Sequence, residues 1–149
     1  MNGRYLLDTN IVIALFANDS AITSNLQNAQ EVFVPSIVVG ELYYGAQRSG
    51  KMKQNIAQID SFSVANTILA CDSTTASVYG TTKNTLPKKG RPIPENDIWI
   101  AAIALQHNLT LVTRDAHLKE VDGLQIYCER VKNGHFFSGQ MFISNPCRV

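Results

Sequence analysis

The chain has 149 residues, the size of one domain, and is long enough to bury a core without staples. Apolar residues make up 45% and charged residues 17%, which excludes a disordered chain. Lys and Arg number 13 against 12 Asp and Glu, a formal charge of +1. Bulk charge therefore does not mark a nucleic-acid binder, and any such binding must come from a local patch.

Cys71, Cys128 and Cys147 are scattered and form no CxxC pair. Neither a zinc site nor a disulfide framework is indicated. The first apolar stretch is broken early by Asp8-Thr9-Asn10, with no small-residue cleavage site after it. No apolar run approaches the roughly 20 residues of a membrane helix. The expectation is a cytoplasmic protein with no membrane partner.

The elements alternate along the chain. Arg4-Tyr5-Leu6-Leu7 is short, apolar and followed by turn-formers, so it reads as a buried strand. Residues 11–16 look helical, with Asn10 a candidate cap. Residues 20–30 read as a helix opened by Ser20. Val32-Phe33-Val34 is a strand stopped by Pro35, and Ser36 can cap a helix over 37–48. Met52, Ile56, Ile59 and Phe62 recur at helical spacing. Residues 67–71 form another strand, and Ser73 opens a helix to about Lys83. A loop, Leu86-Pro87-Lys88-Lys89-Gly90-Arg91-Pro92, follows. Asn96 or Asp97 then opens an apolar helix over 98–106. Strands over 109–113 and 124–127 complete the pattern. Strands separated by helices imply βαβ units, a mostly parallel central sheet and an α/β fold. After about Val131 the periodicity stops, leaving a domain over 1–131 and a tail, 132–149, of unknown role.

Open parallel sheets bind ligands outside the carboxyl ends of their strands. Asp8 directly follows the first strand, and Asp115 follows Leu111-Val112-Thr113. Asp97 opens a helix near the same edge. Glu41 lies in Ile37-Val38-Val39-Gly40-Glu41-Leu42-Tyr43-Tyr44, an otherwise apolar helix. A charge there is costly to bury without a partner. Each acid also has a plainer reading. Asp8 and Asp115 suit turns, Asp97 suits a helix cap or first turn, and Glu41 suits an edge position reaching water. Thr9, Asn10 and Thr113 can orient water or an acid, or serve as caps.

Four acids in one cleft would raise one another's pKa values. A hard divalent cation removes that conflict. Magnesium takes oxygen ligands, and such an ion activates water and neutralises charge on a transferring phosphate. His107, His117 and His135 lack the clustered spacing of a softer metal site.

Four blocks together resemble the signature of PIN-domain ribonucleases. They are Leu6-Leu7-Asp8-Thr9-Asn10, then Val38-Val39-Gly40-Glu41-Leu42-Tyr43-Tyr44-Gly45, then Asn96-Asp97-Ile98-Trp99-Ile100-Ala101-Ala102, and finally Leu111-Val112-Thr113-Arg114-Asp115. The resemblance is nearest to the VapC-type toxins of bacterial toxin–antitoxin pairs and covers about residues 4–131. It implies a Rossmann-like α/β/α sandwich and Mg²⁺- or Mn²⁺-dependent endoribonuclease activity. It places catalytic and metal-binding acids at Asp8, Glu41, Asp97 and Asp115, with Thr9 as a polar helper. It further implies an RNA substrate, a homodimer and a cognate antitoxin reaching into the acidic groove.

Lys88, Lys89 and Arg91, just before the Asp97 block, are candidates for RNA phosphate contacts. Arg48, Lys51 and Lys53 form a second basic group. Tyr43 and Tyr44 can stack on bases or pack in the core or at a dimer face. Two other readings compete. One is an aspartyl-phosphate phosphatase, which would need a second acid where Asn10 stands. The other is a non-catalytic RNA- or protein-binding domain of the same fold.

Overall fold

The computed structural model describes residues 3–86 and 92–129. The loop residues Lys88, Lys89 and Arg91 and the tail 132–149 lie outside the described residues. The strands are β1 (Arg4–Leu7), β2 (Glu31–Pro35), β3 (Thr67–Leu69), β4 (Thr110–Thr113) and β5 (Ile126–Cys128). The helices are α1 (Thr9–Phe16), α2 (Ser20–Leu26), α3 (Ser36–Gln47), α4 (Met52–Ala65), α5 (Ser73–Thr85) and α6 (Glu95–Gln106). A 3-10 turn, Ala116–Glu120, follows β4.

The sheet is parallel throughout, in the order β3-β2-β1-β4-β5. β1 is central: Leu6 pairs in register with Phe33 on one side and Leu111 on the other. Central parallel strands are covered on both faces and read as continuous apolar runs. Accordingly Leu6, Leu7, Val34, Leu111 and Val112 are all buried. α6 supplies Ile98, Ile100, Ala101, Ala102, Ile103 and Ala104 to the interior, which is why its sequence is apolar nearly all round.

The chain winds outward from β1 through β2 to β3, then returns to place β4 on the other side of β1. The strand order thus reverses between β1 and β4. That reversal opens a crevice at their carboxyl ends, the usual ligand position in such sheets.

Several helix starts differ from the sequence expectation. Asp8 rather than Asn10 caps α1, and its carboxylate accepts the Thr9 N–H. Asp19 rather than Ser20 caps α2, which ends at Leu26. Pro35 occupies the cap position of α3, and Ser36 makes no cap bond. Asp72 caps α5 in a reciprocal box with Thr75. α6 starts at Glu95 behind Pro94, so Asp97 sits in its first turn and is not the cap. β3 stops at Leu69, and α4 runs on to Ala65. Where two capping residues are adjacent, as at Asp19-Ser20 and Asp72-Ser73, the path of the entering chain aims the upstream one at the free N–H groups, and Pro sets its own backbone angle.

Candidate active site

Four elements deliver acids to the β1/β4 crevice. Asp8 leaves β1 and opens α1, and its backbone N–H still donates to the Val112 carbonyl of β4 at 3.0 Å. Asp115 follows β4 and starts the 3-10 turn, accepting the His117 N–H at 2.8 Å. Glu41 comes from the middle of α3 and Asp97 from the first turn of α6. Asp8 is 5% exposed and Asp115 8%, while Glu41 and Asp97 are half-buried.

Neutral donors hold Asp8 and Glu41 in place. Thr113, fully buried, donates its hydroxyl to Asp8 Oδ2 at 2.6 Å. The same oxygen of Thr113 accepts the Asp115 N–H at 3.0 Å, so one hydroxyl spaces two acids. Asn10 Nδ2 donates to Asp8 Oδ2 at 3.2 Å, and Asn10 Oδ1 accepts the Arg114 N–H at 3.1 Å. Thr9 donates its hydroxyl to Glu41 Oε2 at 2.9 Å. Asn96 Nδ2 donates to Glu41 Oε1 at 3.0 Å. Glu41 therefore accepts a bond on each oxygen, one from α1 and one from α6. This answers the sequence question about a charge in an apolar helix: the carboxylate has partners.

The acids repel one another. Burial first, and then repulsion by Asp8, Asp115 and Glu41, raises the pKa of Asp97 from 3.8 to about 7. Burial also pushes Asp8 upward, against the hydrogen bonds from Thr113 and Thr9 that favour its charged form. Asp8, Glu41 and Asp97 enter no ion pair among the described residues. Arg114, whose backbone adjoins the site, pairs its guanidinium elsewhere: Nη2 meets Asp19 Oδ2 at 2.7 Å, at the start of α2.

The donor set is all carboxylate and hydroxyl oxygen with amide support, and it suits a hard divalent cation. No three His, Cys, Asp or Glu side chains among the described residues are gathered to hold an ion directly. A divalent cation that keeps several waters and takes one or two carboxylates, as magnesium does, would suit such a set. The phosphatase alternative loses its footing here. Asn10 stands in place of the second acid, and its amide is occupied at both ends.

Asp8, Thr9, Glu41, Asp97 and Asp115 are thus neighbours at the carboxyl ends of β1 and β4. Asn96, read in the sequence as a helix opener and as the first residue of the third block, reaches Glu41 as well. The two tyrosines of α3 part company. Tyr43 donates its hydroxyl to Asp60 of α4, whereas Tyr44 is exposed.

Residues 5–124 match the family model described as the PIN domain. The chain is 42% identical over 114 residues to Ribonuclease VapC2 of Haemophilus influenzae, covering 75% of this chain and 86% of the relative. It is 30% identical over 125 residues to the tRNA(fMet)-specific endonuclease VapC of Shigella flexneri, covering 82% and 95%. The crystal structure of VapBC2 from Rickettsia felis, bound to a DNA fragment from their promoter, superimposes with a TM-score of 0.75 at 32% identity. That match covers 84% of this chain and 98% of the other. The chain belongs to the PIN-domain family, and within it to the VapC ribonucleases of toxin–antitoxin systems.

Proposed function

We propose that the chain hydrolyses internal phosphodiester bonds of RNA with Mg²⁺ or Mn²⁺ held at Asp8, Asp97, Asp115 and Glu41. The observation that carries this reading is the gathering of four acids at the β1/β4 switch point with only neutral donors shown fixing Asp8 and Glu41. A bound divalent cation would activate water and offset the charge that develops on the phosphate. The protein's own part is positional. Thr113 fixes Asp8 and Asp115 relative to each other. Thr9 and Asn96 fix Glu41 between α1 and α6. Glu41 is the group placed to orient the attacking water and accept its proton. The low exposure of Asp8 and Asp115 keeps the field around the phosphate strong.

The same acidity supports the partner reading. A cognate antitoxin that carries a basic segment would neutralise these carboxylates and occupy the RNA path. The VapBC complexes among the structural relatives favour such a partner. The homodimer and the cytoplasmic location remain part of this proposal. No helix among the described residues is long and apolar enough to cross a membrane.

Metal removal is the direct test. Cleavage of a mixed RNA pool should stop in EDTA and return with added Mg²⁺ or Mn²⁺. Full activity of metal-free protein in chelator would overturn the metal mechanism. Lys88, Lys89 and Arg91 complete the proposal as phosphate contacts. Replacing all three by Ala should weaken RNA binding and flatten its log–log salt slope by up to about 2, since single strands release about 0.7 counterion per contact. An unchanged slope would remove the loop from the RNA path.

A further inference from the structure

α3 carries more than Glu41 toward solvent. A helix turns about 100° per residue, so Gly40, Glu41, Tyr44, Gln47 and Arg48 fall in one strip roughly 120° wide. Gly40, Tyr44, Gln47 and Arg48 are all exposed. The strip begins at the catalytic carboxylate and reaches Arg48 about 10 Å along the axis.

Three observations on this strip have no role in the fold. Tyr44 is 61% exposed, unusual for a large ring. The Arg48 guanidinium lies 5.5 Å from its ring centroid, and Arg48 Nη1 donates to the Tyr44 hydroxyl at 2.9 Å. Ring and cation thus form one ordered platform, and Arg48 enters no ion pair among the described residues. Finally, Gly40 sits inside a helix, where glycine is unfavourable relative to alanine. A Cβ there would meet nothing within 4 Å, so no close packing calls for glycine. Gly40 lies beside Glu41 and one turn before Tyr44, and the space over its backbone is open.

We propose that this strip is a nucleotide subsite for the single-stranded RNA flanking the scissile phosphate. A base stacks on Tyr44, the strand crosses the open backbone at Gly40, and a phosphate meets Arg48. Exposed Lys51 and Lys53 extend the basic end. The inference rests on the RNA-hydrolysis reading above. An aromatic ring paired with arginine is a recurring platform for unpaired bases. A face between two copies would need a broad apolar core. Among the described residues the other exposed large apolar side chains, Met52 and Val64, lie on α4 and not on this strip.

The test uses the full chain in an inactive Asp8→Asn background, with a labelled single-stranded RNA and Mg²⁺. Tyr44→Ala should weaken binding at least about fivefold, the lower end for one stacked base. Tyr44→Phe should bind within about twofold of the parent. Gly40→Gln should hold or raise the melting temperature, because glutamine is the better helix former and the space is open, yet should still weaken RNA binding. Arg48→Ala should lower the salt slope by about 0.7. If Tyr44→Ala and Gly40→Gln bind like their parent while wild type cleaves RNA, the subsite is wrong and the hydrolysis reading stands. If wild type neither binds nor cleaves RNA, the hydrolysis reading fails and takes the subsite with it. If Tyr44→Ala instead converts a dimer to a monomer in sedimentation, the strip joins two copies and the subsite is overturned.

Discussion

Asp97→Asn is expected to make the metal-free protein more stable by about 0.5–2 kcal/mol at pH 8 while removing most of its activity. The pKa of Asp97 rises from 3.8 to about 7, through burial first and then through repulsion by Asp8, Asp115 and Glu41. A raised pKa means that the fold disfavours the ionised form. Stability is therefore greatest below the unfolded value and is lost as pH rises from about 4 through about 7. Metal-free wild type should show that decline, and Asp97→Asn should lack this contribution to it. Two unit charges at about 4 Å would repel by about 4 kcal/mol at an effective dielectric near 20. Asp97 is half-buried, so solvent screening cuts this several-fold. Losing a negative charge in the first turn of α6 opposes the gain by about 0.3–1 kcal/mol. Near pH 5 the two proteins should melt much closer together. Saturating Mg²⁺ should narrow or reverse the gap at pH 8, because wild type binds the ion better. A mutant that is less stable in EDTA, with Mg²⁺ shifting both melts equally, would show that the acids share no cation site.

Expression of the chain alone should arrest bacterial growth, and Asp8→Asn should relieve the arrest. The substitution removes charge at the point where the β1, β4 and α1 ends meet. The expected loss of RNA cleavage is on the order of a hundredfold or more, the scale for deleting one electrostatic group at a centre of developing charge. The fold should survive. Asn caps a helix about as well as Asp, and the Thr113 hydroxyl can donate or accept toward the new amide. Equal arrest by soluble wild type and mutant would separate the toxicity from this site.

The strands and acids were legible in the sequence for a simple reason. Buried parallel strands are continuous apolar runs, and an acid one or two residues after such a run sits at the ligand-binding edge. Asp8 and Asp115 follow that rule, and the four blocks add Glu41 and Asp97 to the set. Helix starts were less legible, because Asp19 and Ser20, or Asp72 and Ser73, are both good caps in isolation. Only the path of the preceding chain decides which one faces the free N–H groups. The long-range bonds were not legible. Asn96 reaches Glu41 across 55 positions and Arg114 reaches Asp19 across 95, and neither spacing leaves a periodic trace. The adjacent tyrosines show the same limit. Neighbours on a helix point about 100° apart, so Tyr43 meets Asp60 while Tyr44 faces solvent.

The most direct test of the central claim is cleavage of one end-labelled RNA by wild type, Asp8→Asn, Glu41→Gln and Asp97→Asn in Mg²⁺, each first shown by its melt to be folded. The account predicts that wild type alone cuts efficiently. It also predicts that Asp8→Asn combined with Asp97→Asn loses little beyond the worse single variant, because the acids act as one unit. Any of the three single variants cutting at the wild-type rate would contradict it.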